Sequence, residues 1–238
     1  MDNLQLLSDA PTALQILDLG LKPYAEVWKY QKDLQRALIT GTGKDTLIFC
    51  QHYPILTLGR SAKVDNVLAP PEELAEKKIE LLKVERGGDV TYHGPGQLVG
   101  YPILDLKKKR RDVGWYLRSL EEVIVSTLKE LDIKGFRLDG KTGVWTYATQ
   151  IDKISGFLGP ENNVAKIASM GVRISRWCTL HGFALNVDDC SSGFRLINPC
   201  GMKGIKITSL AELGKIVSVD QVVPILTENF KRIFCYTT

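Results

Sequence analysis

Near Leu131 the hydrophobic period of this chain changes. From Asp112 to Leu131 the apolar residues Leu117, Leu120, Ile124, Leu128 and Leu131 recur at spacings of three and four, which predicts a helix with one buried stripe. Beyond it the period becomes two. Gly143–Ala148, Ile151–Phe157, Lys166–Ile174 and Cys178–Val187 read as successive strands that turn alternate side chains to opposite faces. Such a chain has to lay helices against a sheet.

The N-terminal half is mixed in the same way. Residues 13–19 read as a strand, and Pro23 opens a helix with Tyr24, Val27, Trp28, Leu34 and Leu38 close to one stripe. Thr46–Cys50 and Ile55–Leu58 are short strands joined through His52 and Pro54. Pro70-Pro71-Glu72-Glu73 opens a short helix, Leu81–Glu85 leads into a glycine-rich segment, and Leu98–Leu104 is a further strand. Residues 209–213 and 219–234 are predicted helical. Strands and helices do not alternate strictly, so the expected fold class is α/β or α+β with a mixed, largely antiparallel sheet.

At 238 residues the chain is expected to form a single domain, 1–238, burying about 70–75% of the surface its unfolded form exposes. Met1-Asp2-Asn3 has neither a basic nor an apolar leader region, and no apolar run approaches the roughly 20 residues that span a bilayer. A soluble, cytoplasmic protein without membrane contact is expected. Five cysteines, with no Cys-x-x-Cys pair, fit reduced thiols in such a compartment. The three histidines lie far apart without metal-ligand spacing, so no metal is expected. A net charge of +4 gives no reason to expect a nucleic-acid partner. Its one concentrated source, Lys107-Lys108-Lys109-Arg110-Arg111, reads as a solvated loop or as a docking point for an acidic protein.

Gly135-Phe136-Arg137-Leu138-Asp139-Gly140-Lys141-Thr142 matches the phosphate-loop pattern letter for letter. That motif works only between a buried strand and the start of a helix. Here a helix end precedes it and the strand-like Gly143–Tyr147 follows. The match is therefore read as chance, and ATP or GTP hydrolysis is not expected.

Three segments carry candidate chemistry. In Arg86-Gly87-Gly88-Asp89-Val90-Thr91-Tyr92-His93-Gly94-Pro95-Gly96-Gln97, glycine pairs bracket a short alternating run, with Thr91 and His93 on one face of a strand and Val90 and Tyr92 on the other. Glycine costs strand stability, so this spacing marks unusual dihedrals or a close backbone approach. Lys166 shares the parity of Ala168, Met170, Val172 and Ile174. An inward lysine must pair, snorkel from the strand end or do chemistry. Cys200 sits between Pro199 and Gly201 in a tight loop able to hold a thiol exposed, whereas Cys50 and Cys178 read as buried and Cys190 and Cys235 as loop and tail residues. A neighbouring ammonium, with Lys166 the obvious candidate, would arm that thiol as a nucleophile.

Together these segments resemble the lipoyl(octanoyl) transferases, the octanoyl-[acyl carrier protein]:protein N-octanoyltransferases. The resemblance rests on Arg86–Leu106, His52–Arg60, Gly140–Trp145, Lys166–Ile174, His181–Asn186 and Asn198–Met202, which occur in the family order across roughly residues 14 to 212. It implies Cys200 as the acyl-accepting nucleophile and Lys166 as the residue that stabilises its thiolate. It implies an acyl pocket lined by Arg86, Gly87, Gly88, Asp89, Val90, Thr91, Tyr92 and His93, by Ser169, Met170 and Gly171, and by Gly182, Phe183 and Ala184. The implied fold is that of biotin protein ligases and lipoate ligases. The implied reaction needs no cofactor and no metal. Octanoyl-acyl carrier protein is the donor, and lipoyl domains of 2-oxoacid dehydrogenases and the glycine cleavage H protein are the acceptors. The rival readings are an ATP-dependent lipoate or biotin ligase of the same fold and a non-catalytic subunit that binds acylated carriers.

Overall fold

A computed structural model of the protein describes residues 13–148 and 163–237. The main sheet runs β1 (Gln15–Lys22), β2 (Thr46–His52), β6 (Gln97–Ile103), β10 (Cys178–Asn186), β9 (Val164–Ser175), β8 (Lys141–Tyr147) and β7 (Gly135–Leu138), with β11 (Lys206–Ile207) beside β9. Within this sheet, among the described residues, only the β1–β2 and β11–β9 pairs are parallel. A small sheet of β4 (Glu80–Lys83), β3 (Ile55–Leu58) and β5 (Val90–His93) lies apart from it. The expected mixed, largely antiparallel architecture is present.

Helices cover both faces of the main sheet, which explains the continuous apolar run of β2. Leu47 and Phe49 pack with the long helices α3 (Val113–Glu130) and α4 (Val219–Ile233), whereas Ile48 and Cys50 pack with α1 (Tyr24–Thr40). Pro23 stands at the N-cap of α1 as expected, and Pro71 begins the short α2 (Pro71–Glu76). Asp112 caps α3 by accepting from Trp115 N at 2.8 Å, and Ser218 with Gln221 forms a capping box on α4.

One expectation changes and the rejection of the phosphate loop stands. Residues 209–213 are not a helix. Leu213 N donates to Ser209 O at 3.2 Å, and the turn then ends at Gly214 with φ 81°, a single helical turn that is not continued. Gly135–Thr142, the phosphate-loop match, contains β7, a turn at Asp139-Gly140 and the start of β8, so no helix N-terminus is available there for a phosphate. The predicted strand 151–157 lies outside the described residues. Among those residues no helix is long and apolar enough to cross a membrane.

Candidate active site

The glycine-rich segment and β5 face β9, β10 and β6 across a cavity. Its wall includes Arg86, Gly88, Asp89, Val90, Thr91 and His93 from one side. Ser169, Met170 and Gly171 come from β9, and Gly182, Phe183 and Ala184 from β10. The last two triplets are cross-strand neighbours in register, Ala184 opposite Ser169, Phe183 opposite Met170 and Gly182 opposite Gly171. Arg86 is buried, and its guanidinium donates to Thr57 O at 2.6 Å, to Thr57 Oγ1 at 2.9 and 3.1 Å and to Gly87 O at 3.0 Å. It pins the loop to β3. Two residues expected in the wall stand elsewhere. The Tyr92 ring packs on Phe194 with centroids 5.8 Å apart, and Gly87 bonds the far side of the loop to Val172 O at 3.0 Å.

Cys200 and Lys166 meet at one end of this cavity. Cys200 lines it and is half-buried, and Lys166 Nζ donates to Cys200 Sγ at 3.2 Å and to Thr142 O at 2.9 Å. Lys166 does not snorkel: it is 2% exposed. The parity count also fails at this residue for a physical reason. Val144 pairs with Ala168 but Trp145 with Lys166, a bulge that leaves Ile167 as the extra residue and breaks the alternation between 166 and 168. The ammonium reaches its place past Gly143. A Cβ there would stand 2.5 Å from Lys166 Cε and 2.7 Å from Ala168 O, at a φ of 123° that disfavours any side chain.

Cys200 itself has φ 57° and ψ 22°, an uncommon left-handed position for a residue with a Cβ. The expectations for the other thiols hold: Cys50 and Cys178 are buried, Cys190 stands in a loop, where it too is buried, and Cys235 is exposed in the tail.

The opposite end of the cavity is lined by Tyr24, His93, Tyr101 and His181. All three histidines of the chain converge around it. His52 Nδ1 donates to Lys22 O at 2.9 Å, while its Nε2 accepts from Tyr101 OH at 2.8 Å. His93 Nδ1 donates to Gln97 Oε1 at 2.7 Å, and His181 Nδ1 meets Tyr24 OH at 3.3 Å. Burial holds His52 down to about 4 and His93 down to about 3, and it lowers His181 as well. All three are neutral at pH 7.

This convergence escaped the sequence reading because positions 52, 93 and 181 come together only through the sheet order. So did Thr142, Gly143 and Asn66. Gly140–Trp145 was singled out as a motif, which could have flagged the first two, but nothing local marks Asn66.

The architecture is one shared with solved lipoate protein ligases. A bipartite lipoate protein ligase of Thermoplasma acidophilum superposes with a TM-score of 0.69 at 16% identity, covering 95% of this chain and 85% of that one. Residues 23–231 match the model of the lipoyl protein ligase A/B catalytic domain. The octanoyltransferase of Syntrophotalea carbinolica is 42% identical over 92% of this chain and 94% of its own. That of Koribacter versatilis is 42% identical over 93% and 84%. The chain belongs to the lipoyl protein ligase A/B catalytic domain family and, within it, with the octanoyltransferases, so it is an acyltransferase.

Proposed function

We infer that the protein moves an octanoyl group from the thioester of an acyl carrier protein to a lysine of a lipoyl domain, through a thioester on Cys200. The observation that carries this reading is the Lys166 Nζ–Cys200 Sγ contact of 3.2 Å at one end of an otherwise largely apolar cavity.

The steps balance without a cofactor. Cys200 thiolate, facing the Lys166 ammonium, attacks the carrier thioester carbonyl. The carbonyl carbon's bond to the carrier sulfur breaks, and the departing thiolate takes a proton from Lys166. The acyl-enzyme is again a thioester, so this exchange is close to isoenergetic and calls for no ATP. Lys166, now neutral, accepts the proton of the attacking lysine amine as the amide bond forms. Breaking the bond to Sγ returns Cys200 thiolate and Lys166 ammonium, and ping-pong kinetics follow.

Burying six methylenes at roughly 0.8 kcal/mol each contributes about 5 kcal/mol to donor binding. Each methylene is discriminated by only ~1–3 kcal/mol, so neighbouring chain lengths are accepted more slowly rather than refused.

The test is transfer of octanoyl from its carrier to a lipoyl domain in the absence of ATP. Transfer with alternating release of free carrier and octanoyl-lipoyl product supports the reading. Transfer that requires free octanoate and ATP assigns the protein to the ligases. Carrier binding without transfer makes it a silent subunit.

A further inference from the structure

The left-handed turn that presents Cys200 is not held by its own hydrogen bonds alone. Gly201 N donates to Asn198 O at 3.0 Å and Met202 N to Pro199 O at 3.1 Å, which closes the turn. Two side chains from remote segments then fasten it to the cavity wall. Asn66 ends a short 3₁₀ turn (Val64–Asn66), is 9% exposed, and donates from Nδ2 to Asp89 Oδ2 at 2.7 Å. Its carbonyl accepts from Asn198 N at 2.8 Å, and its Oδ1 faces Asn198 Nδ2 at 3.5 Å. Asp89 Oδ1 accepts from Val90 N at 2.7 Å and from Lys63 N at 3.3 Å. The turn rests directly on this pair. A Cβ on Gly201, where φ is 71°, would stand 2.6 Å from Asp89 Oδ2 and 3.1 Å from Asn66 Nδ2.

We propose that Asn66 and Asp89 are positioning residues for the nucleophile: their hydrogen bond joins residues 63–66, 89–90 and 198–201 into one latch that keeps Cys200 left-handed and its Sγ against Lys166. The proposal rests on Cys200 as the acylated residue; it adds Asn66, which lies outside the cavity lining, and gives Asp89 of the cavity wall a second role. The chemistry of the pair makes it separable from mere folding. A carboxylate only accepts, and an amide can do both. Exchanging the two therefore keeps every hydrogen bond. Asp at position 66 still accepts from Asn198 Nδ2 and from the new amide, and Asn at 89 still accepts from Val90 N and Lys63 N. Changing Asn66 alone to Asp sets two carboxylates against each other, and no amide flip relieves them. Asp89→Asn alone is milder, because a flip of Asn66 restores one donor–acceptor pair.

The experiment compares wild type, Asn66→Asp, Asp89→Asn and the reciprocal double variant. It reads the rate of octanoyl-adduct formation from octanoyl-acyl carrier protein by intact mass, the rate of Cys200 alkylation by iodoacetamide resolved on its own peptide, and the melting midpoint. Displacing Sγ by about an ångström costs on the order of 10²-fold in rate. Asn66→Asp is expected to slow acylation by roughly 10- to 100-fold, Asp89→Asn by less, and the double variant to return within about threefold of wild type. Wild-type acylation by Asn66→Asp overturns the proposal. A double variant as slow as Asn66→Asp, or one that fails to fold, overturns it too. If wild type forms no adduct, it is the acyl-enzyme reading that fails, and the same order among the four alkylation rates still decides the latch.

Discussion

The two ends of one cavity differ in how their polar groups are used. At the Cys200 end the ammonium of Lys166 divides its donors between a carbonyl and a sulfur, and the backbone at Cys200 and Gly143 takes left-handed or otherwise restricted conformations. At the far end, Tyr24, His52, His93 and Tyr101 spend hydrogen-bonding capacity on one another, Lys22 and Gln97, and the imidazoles are buried and neutral. Burial with partners makes a polar group inert; in the proposed reaction the buried charge of Lys166 instead arms the half-buried Cys200 beside it. Histidine is the usual residue for proton transfer, yet here His93 and His181 line the wall and His52 packs behind it; in the proposed reaction Lys166 moves the protons.

Lys166→Ala should break the reactive end most severely. Loss of a general acid–base costs about 10²- to 10⁴-fold, and a fall of that size in kcat/KM for octanoyl transfer, with the fold retained by circular dichroism, is expected. Gly143→Ala adds one carbon in the path of Lys166 and should cost about 100-fold through misplacement of the ammonium; unchanged turnover would mean the lysine is not held where it matters. His93→Gln, which keeps a neutral hydrogen-bonding side chain at the inert end, should lower kcat by less than about tenfold, well short of a lost acid–base group. A larger loss at constant stability would move proton transfer to that end.

The histidines should instead govern acid stability. Unfolded imidazoles titrate near 6.5, whereas His52 and His93 stay neutral in the fold down to about 4 and about 3. Their contribution is whole above pH ~6.5. As pH falls further, the unfolded chain takes up protons that the folded chain refuses, until the folded values are reached. At pH ~5 each costs about 2 kcal/mol. Urea midpoints measured between pH 7.5 and 5 should fall, and a flat profile would contradict the neutral assignment.

The smallest effect belongs to the basic run. Lys107 pairs with Asp105 at 3.5 Å, Lys109 donates to Phe234 O at 2.7 Å and Arg110 pairs with Asp112 at 3.0 Å. Reversing the charges of Lys108 and Arg111 should raise KM for the carrier by about threefold, mostly at low salt. An unchanged KM removes this run from docking.

How much of this was legible in the sequence depended on range. The helix at Val113–Glu130 and the strands β2, β6, β9 and β10 announce themselves through period. The Pro199-Cys200-Gly201 turn announces itself through composition. Gly135–Leu138 was missed as a strand because a glycine and two charged turns hide four residues. The bulge at Ile167 leaves no local mark either, so the lysine that meets Cys200 was reached partly through a parity that does not hold across it. Gathering the three histidines and setting Asn66 under Cys200 are decisions of the sheet order, which local pattern does not encode.

The central claim is a covalent octanoyl-Cys200 intermediate. Its most direct test is the intact mass of wild type and Cys200→Ser after mixing with octanoyl-acyl carrier protein without ATP. A single octanoyl adduct on wild type, removed by hydroxylamine and missing from Cys200→Ser, is the predicted result. No adduct on wild type, or an equal adduct on both proteins, would contradict it.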